Sequence, residues 1–450
     1  MEQFPKVSQE IGFKMAIITA YLTLWVCLLD VFSVTWSRQM AGGGPVILDH
    51  PFITVWNAPS QECEEKYRVS LDLQIFDVVA NQNESFTGSD ITLFYSHRLG
   101  YYPYYTENGT AVNGGTPQNA SLNSHLWKTE QDIEKTISEA GFKGLAVVDW
   151  ESWRPLWVRN WDSMQIYQNK SIELVKEKHP DWPADKVARE AKREFEQMSQ
   201  AFMELTLALG QSLRPEGFWG FYGFPDCYNN EYKSTDYTGE CPEIEKQRND
   251  ELQWLWNQSQ ALYPSIYLPK ELWFLNKTLE FVRHRVQEAF RIVNQTGNGS
   301  IPVLPYAPLN ISSQRHRDLV HTIGESASQG AAGVILWGST NDSNSEEACL
   351  DVKKYVDTVL GPYIVNVTSS TRLCSQILCS KNGRCVRQDG HLDAFLHLTP
   401  ASFSIQRHSE EPRFVVRGQM SAKEQVQMAK EFACQCYSGW EGSQCEKKST

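Results

Sequence analysis

Short apolar runs alternate with helical patterns along most of this chain, and no other feature restricts its fold as strongly. The runs are Phe52–Trp56, Ile91–Tyr95, Gly144–Glu151, Gly217–Phe224, Ser265–Leu268, Pro302–Tyr306 and Gly333–Gly338. They are largely apolar rather than alternating, as strands covered on both faces are. The clearest helical pattern is 183–213, where Val187, Ala191, Phe195, Met198, Phe202, Leu205, Leu209 and Leu213 recur every three or four residues. That is one apolar helix face, read as core, with Asp181 as N-cap, Pro183 in the first turn and Pro215-Glu-Gly217 as the stop. Alternating strands and helices of this kind predict a parallel sheet. About seven or eight such units in roughly 320 residues suit a closed (β/α) barrel.

The compartment is written at the N-terminus. Residues 15–29 form one apolar run, preceded by Lys6 and Lys14 and ended by Asp30. The run is short of the ~20 residues a membrane span needs. It reads as a signal peptide within a leader at 1–40, cleaved between Ser33 and Gly42. No other run approaches spanning length, and the tail after Cys445 carries no hydrophobic stretch for a lipid anchor. Of 11 Cys, Cys27 falls in the leader, which leaves an even number for disulfides. N-glycosylation sequons are abundant: Asn83, Asn108, Asn119, Asn169, Asn257, Asn276, Asn294, Asn298, Asn310, Asn341 and Asn366. The expectation is a secreted or lysosomal glycoprotein, monomeric, with no stable membrane anchor. Lys plus Arg is 42 against 54 Asp plus Glu, a net charge of −12. That balance disfavours nonspecific nucleic-acid binding, which needs a basic surface.

Cysteine spacing divides the chain. Cys63, Cys227, Cys241 and Cys349 are sparse; Cys374, Cys379, Cys385, Cys434, Cys436 and Cys445 crowd the end. We therefore expect a barrel at 41–365 and a small module at 366–450. With Asn382-Gly383-Arg384-Cys385 and Tyr437-Ser-Gly-Trp-Glu-Gly442, this end resembles an EGF-like module with an unusually long insertion at 386–433. Such a module pairs its cysteines 1–3, 2–4 and 5–6, which implies Cys374–Cys385, Cys379–Cys434 and Cys436–Cys445. Zinc ligation by these residues is disfavoured in an oxidising compartment.

The chemistry is concentrated in Gly144-Leu-Ala-Val-Val-Asp-Trp-Glu151, a strand that ends in two acids. Side chains at i and i+2 of a strand share a face, so Asp149 and Glu151 would project together, roughly 6–7 Å apart. Strand C-terminal ends line the active site of a barrel. Two close carboxylates cannot both ionise freely, so one keeps its proton, as acid catalysis at a glycosidic bond requires. Two solvated acids at a strand end is the plainer alternative for Asp-x-Glu alone.

Context decides between them. The acids are followed by Trp153-Arg154-Pro155-Leu-Trp157 and Asn160-Trp161. Elsewhere stand Phe52-Ile-Thr-Val-Trp-Asn-Ala58, Leu99-Gly-Tyr-Tyr-Pro-Tyr-Tyr105, Gly114-Gly-Thr-Pro-Gln-Asn-Ala120 and Trp219-Gly-Phe-Tyr-Gly-Phe-Pro-Asp-Cys227. Ala261-Leu-Tyr-Pro-Ser-Ile-Tyr267, Gly324-Glu-Ser-Ala327 and Gly330-Ala-Ala-Gly-Val-Ile-Leu-Trp-Gly338 continue the series. Together these closely resemble the animal hyaluronidases, from about residue 45 to 446, nearest to the soluble, acid-active type-1 branch.

The resemblance implies an α/β fold, a distorted (β/α) TIM-like barrel followed by the disulfide-rich EGF-like module, with disulfides Cys63–Cys349 and Cys227–Cys241. It implies an endo-β-N-acetylhexosaminidase acting on hyaluronan, with chondroitin secondary, and no cofactor or metal. In this family the substrate's own acetamido oxygen attacks the anomeric carbon. Glu151 would be general acid and then base; Asp149 would orient the acetamido group and stabilise its positive nitrogen. Tyr222 and Tyr267 match cleft tyrosines, Trp337 the residue packed on the acetamido methyl, and Tyr95 and Arg154 further cleft positions. Trp153 and Trp219 read as core.

The chain departs from the family after Pro302-Val-Leu-Pro-Tyr306. There 307–318 is short and basic, with Arg315, His316 and Arg317, and would sit at the cleft rim. This loop is the one feature favouring a catalytically weak glycosaminoglycan-binding or adhesion protein; a second enzyme reading reverses the preference towards chondroitin. A net acidic protein attracts a polyanion poorly at neutral pH. Acid conditions would relieve this by protonating carboxylates and the 10 His.

Overall fold

The computed structural model describes residues 44–80, 88–273, 275–296, 301–309, 316–408 and 414–449. The leader at 1–40, the sequons at Asn83, Asn298 and Asn310, and Arg315 lie outside the described residues. Within the described part, no helix is long and apolar enough to cross a membrane.

Two parallel sheets form the centre. One joins β1 (Ile53–Asn57), β2 (Val78–Val79), β6 (Tyr306–Pro308) and β7 (Gly333–Trp337) in the order β2-β1-β7-β6. The other is β3 (Ile91–Tyr95), β4 (Leu145–Asp149) and β5 (Phe218–Phe221). Single parallel bridges Tyr222–Tyr263, Leu262–Val303 and Ser265–Tyr306 connect them through residues 262–265. The pairing thus runs β3-β4-β5, then 262–265, then β6-β7-β1-β2. Among the described residues no ladder joins β2 to β3.

Prolines explain where the ladders differ from the expected runs. Ser265–Leu268 was expected to be a strand, but only isolated bridges form, at Leu262, Tyr263 and Ser265. Pro264 has no N–H to donate there. Likewise Pro302 and Pro305 delay the ladder of the sixth strand to Tyr306. The fourth strand stops at Asp149, so Glu151 stands in the loop beyond it rather than on the strand.

Residues on each strand alternate between the sheet interior and the helices outside. Ile53, Val55, Leu145, Val147, Phe218 and Ile335 pack inward together. Ala146, Val148 and Trp219 pack outward, against a layer that includes Phe195, Phe202 and Leu207. Those last three belong to α3 (Ala184–Leu213), which follows α1 (Leu122–Thr136) and α2 (Gln165–Lys178). Its N-cap is Pro183, in an extended conformation, and not Asp181, which lies in the preceding turn. The buried face also rotates from the expected one. Leu205 is exposed and Met198 half-buried, whereas Ser199, Met203, Thr206 and Gly210 are buried. Gly210 is required, because a Cβ there would meet the Trp219 ring at 2.7 Å. Trp153 and Trp219 are buried, each donating its indole N–H to a carbonyl, of Pro103 and Arg214 respectively.

Beyond α4 (Lys277–Gln295), helical chain runs from α5 (Glu346–Tyr355) through a π turn into α6 (Gly361–Leu378). The boundary expected between 365 and 366 falls inside α6, so no linker marks it. Ala41–Thr450 groups as one compact unit. The C-terminal part holds paired strands β8 (Gly383–Arg387) and β11 (Phe432–Cys436). The 386–433 insertion forms a hairpin, β9 (Phe403–Arg407) with β10 (Phe414–Gly418), and α7 (Ala422–Glu431). The last pair is β12 (Trp440–Glu441) with β13 (Lys447–Lys448). Disulfides link Cys63–Cys349, Cys227–Cys241, Cys374–Cys385, Cys379–Cys434 and Cys436–Cys445. Of the described sequon residues, Asn108, Asn119, Asn169, Asn257, Asn276, Asn294 and Asn341 are exposed. Asn366 is half-buried, its Oδ1 accepting the Leu398 N–H at 2.9 Å.

Candidate active site

Continuing each interior column by two residues toward its C-terminal end locates the site. Leu145 and Val147 lead to Asp149; Ile91 and Leu93 lead to Tyr95; Gly333 and Ile335 lead to Trp337. Phe218 and Gly220 lead to Tyr222, Tyr263 and Ser265 to Tyr267, and Leu304 to Tyr306. The period-two rule therefore aims all these side chains into one mouth. Gly220 has no alternative in its column, since a Cβ would lie 2.3 Å from the Ala261 carbonyl oxygen.

A cavity of about 100 Å³ results, lined by Leu93, Asp149, Glu151, Tyr222, Tyr267, Tyr306 and Trp337. Asp149 pairs in register with Tyr95 across the third and fourth strands. The Trp337 indole N–H donates to Tyr95 Oη at 3.1 Å. Tyr222 stands edge-on to Tyr306, centroids 5.1 Å apart, and tilted to Tyr267 at 6.2 Å. Tyr267 in turn is tilted to Trp337 at 6.3 Å. Tyr222 Oη reaches Ser265 Oγ at 3.5 Å, a long contact that leaves the phenol available to a ligand.

The two acids differ in environment. Asp149 is largely enclosed, and its Oδ1 has no hydrogen-bond partner. Burial, and then the Glu151 charge, push its carboxyl up to about 7, with Arg154 opposing. Glu151 has a side chain 58% exposed, open to the mouth. Arg154 Nη2 lies 3.8 Å from Glu151 Oε1, and Arg154 Nη1 donates to the Glu151 carbonyl at 3.2 Å. Buried Asn160 fixes this loop: it accepts the Arg154 N–H at 2.9 Å and donates to the Arg154 carbonyl at 2.8 Å. Burial also raises the phenols of Tyr222, Tyr267, Tyr306 and Tyr95, so all four stay neutral donors.

Six expected side chains, Asp149, Glu151, Tyr95, Tyr222, Tyr267 and Trp337, thus converge, and Arg154 buttresses Glu151 from the side. Tyr306 is the residue sequence reasoning missed. Its signal was its place at the end of Pro302–Tyr306, in phase with the other column ends. The basic loop leaves the strand beside Trp337, where Leu309 N donates to the Trp337 carbonyl at 2.7 Å. His316 then packs edge-on against Tyr363 of the sixth helix. Among the described residues no cluster of His, Cys, Asp and Glu could hold a metal ion.

A buried acid beside an exposed one, at the rim of an aromatic pocket the size of a small sugar substituent, is the layout of a two-carboxylate glycosidase. Residues 41–449 match the hyaluronidase family, and the chain belongs to it. It is 50% identical to Hyaluronidase-1 of Sus scrofa over 433 residues, covering 95% of this chain and 99% of that protein. Identity to Hyaluronidase-1 of Homo sapiens is 51% over 417 residues, covering 91% and 96%. The crystal structure of bee venom hyaluronidase in complex with a hyaluronic acid tetramer superposes with a TM-score of 0.60 at 34% identity. That match covers 70% of this chain and 98% of the bee protein.

Proposed function

We propose that this protein is an endo-acting hyaluronidase that cleaves the β-1,4 N-acetylhexosaminide bonds of hyaluronan with retention of configuration, chondroitin being a secondary substrate. The observation that carries the reading is the enclosed Asp149 carboxyl, its Oδ1 unpartnered and its pKa pushed up to about 7, beside the exposed Glu151 in an aromatic-walled pocket. Family membership and the hyaluronan-bound bee relative support the choice of substrate.

In this reading the N-acetyl group enters the pocket, with its methyl against Trp337 and its amide among Tyr222, Tyr267 and Asp149. Glu151 donates a proton to the glycosidic oxygen as the C1–O bond breaks, and the acetamido oxygen closes onto C1 from the opposite face. The positive charge then developing on the acetamido nitrogen reverses the local balance at Asp149 and favours its ionised form. Glu151, now a carboxylate, takes a proton from water, whose oxygen attacks C1 and reopens the ring. Two inversions give retention. The test is the anomeric form of the first product. NMR of a fresh digest should show the β anomer before mutarotation; an α anomer would exclude the scheme.

The same reading includes a closed barrel, an EGF-like C-terminal module, a cleaved leader, a monomer, and secretion or delivery to lysosomes. The even cysteine count outside the leader and the exposed sequon asparagines support the secretory route.

A further inference from the structure

A second cleft lies away from the acids, between the segment leading into the first strand and the C-terminal module. Its volume is about 200 Å³, room for a sugar ring. Its lining includes the rings of Tyr437 and Trp440, the cations Arg372 and Lys381, and the polar Gln376 and Asp49. The charge here runs against the net −12 of the chain. Among the described residues no carboxylate comes within salt-bridge distance of Arg372 or Lys381. Arg372 is held instead by the Asp49 carbonyl at 3.4 Å and a His50 ring nitrogen at 3.2 Å. Arg384, not itself in the lining, stacks on the Tyr437 ring at 5.3 Å, with Nε and Nη2 buried and unpartnered. Lys448 lies over Trp440 at 5.8 Å.

Aromatic rings that accept the C–H face of a sugar, in one cleft with cations that accept a carboxylate, suit one ligand chemistry: a uronic-acid-containing oligosaccharide. We propose that this cleft is a second, noncatalytic binding site for the acidic polysaccharide. The inference rests on the hydrolase reading above for the identity of the polymer. Residues 44–51 enter the first strand at its N-terminal end, whereas the acids stand at C-terminal strand ends. A five-residue strand is about 17 Å long, and a surface route around the helix layer adds about 10 Å at each end, so the path, roughly 40 Å, exceeds the reach of a hexasaccharide. A long chain can span it, and its second contact becomes intramolecular.

The experiment compares the full secreted protein with Trp440→Ala and Lys381→Asn. Asn suits position 381, where φ is +66°. Cleavage kinetics are measured on a hyaluronan hexasaccharide and on long hyaluronan. Both variants should lower kcat/KM on the polymer by about three- to tenfold, less than the roughly 10²–10⁴-fold gain of a fully linked second site because each removes only one contact, and leave the hexasaccharide unchanged. Added salt should shrink the difference. Equal kinetics on the polymer, or equal loss on both substrates, would overturn the proposal. A second arm titrates a uronate-containing tetrasaccharide into Glu151→Gln protein with and without each change, reading binding by calorimetry. Two binding events reduced to one support the second site, and a single event in every protein removes it. This arm decides even if the wild type cuts neither substrate, an outcome that would sink the hydrolase reading alone.

Discussion

At the residue scale the informative group is Asp149. Its carboxyl titrates at about 7 in the folded chain against an ordinary 3.8, chiefly because it is buried. A folded value above the unfolded one means the native state holds the proton more tightly. The associated stability is full below about pH 4 and is lost as pH rises through 7. Asp149→Asn cannot ionise and should escape that loss. Thermal unfolding should find the variant more stable than wild type at pH 7, by of order 3 kcal/mol, with the gap closing at pH 4. A constant gap across pH would place the effect elsewhere. The same variant should lose most activity, a trade of stability for function at one side chain. That Asp149 and Glu151 lie close was legible from their spacing, but not how: the strand ends at Asp149 and Glu151 reaches the mouth from the loop beyond it. That Asp149 is the enclosed member was not legible either, since its covering comes from Tyr222, Tyr267 and Tyr306, distant in sequence.

At the scale of elements, two connections tie distant parts of the chain together. Glu325 is fully buried and joins Arg283 of the fourth helix, at 2.9 Å, to Arg387 of the eighth strand, at 2.8 Å through its other oxygen. Glu325→Ala leaves enclosed Arg387 without a carboxylate partner and Arg283 with only the more exposed Glu280, at 3.4 Å. It should cost about 3–5 kcal/mol in chemical unfolding; a cost below 1 kcal/mol would show that water reaches this seam. The Cys63–Cys349 disulfide joins the chain just after the first strand to the fifth helix, across 286 residues. Replacing both cysteines by serine should lower stability by about 2–4 kcal/mol, read from the urea midpoint, with the cleft chemistry retained. Helical periodicity identified Ala184–Leu213 almost to the residue, yet it misplaced Leu205. Across a helix this long the buried stripe follows whatever packs on it, here Trp219 against Gly210. The Gly324-Glu-Ser-Ala327 motif was visible in sequence, but its reason was not, because Arg283 and Arg387 lie far away along the chain.

For the whole molecule, strand and helix order was readable because apolar runs and helical faces differ in period. The exact ladders were not, because prolines at 264, 302 and 305 suppress hydrogen bonding without changing hydrophobicity. The cysteine split located the disulfide-rich end, whereas the continuous helix through 365 and 366 has no compositional mark. Net charge bears on the working pH. At −12 the protein repels a polyanion at neutral pH, and protonation of carboxylates and histidines relieves that repulsion. Cleavage should therefore be strongest under acid conditions. The most direct measurement counts new N-acetylhexosamine reducing ends from hyaluronan and from chondroitin, between acid and neutral pH, for wild type and Glu151→Gln. The account predicts release from hyaluronan at acid pH, weaker release from chondroitin, and a fall of about 10²–10⁴-fold in the variant. No release at any pH from folded, disulfide-intact protein, or full activity in Glu151→Gln, would contradict it.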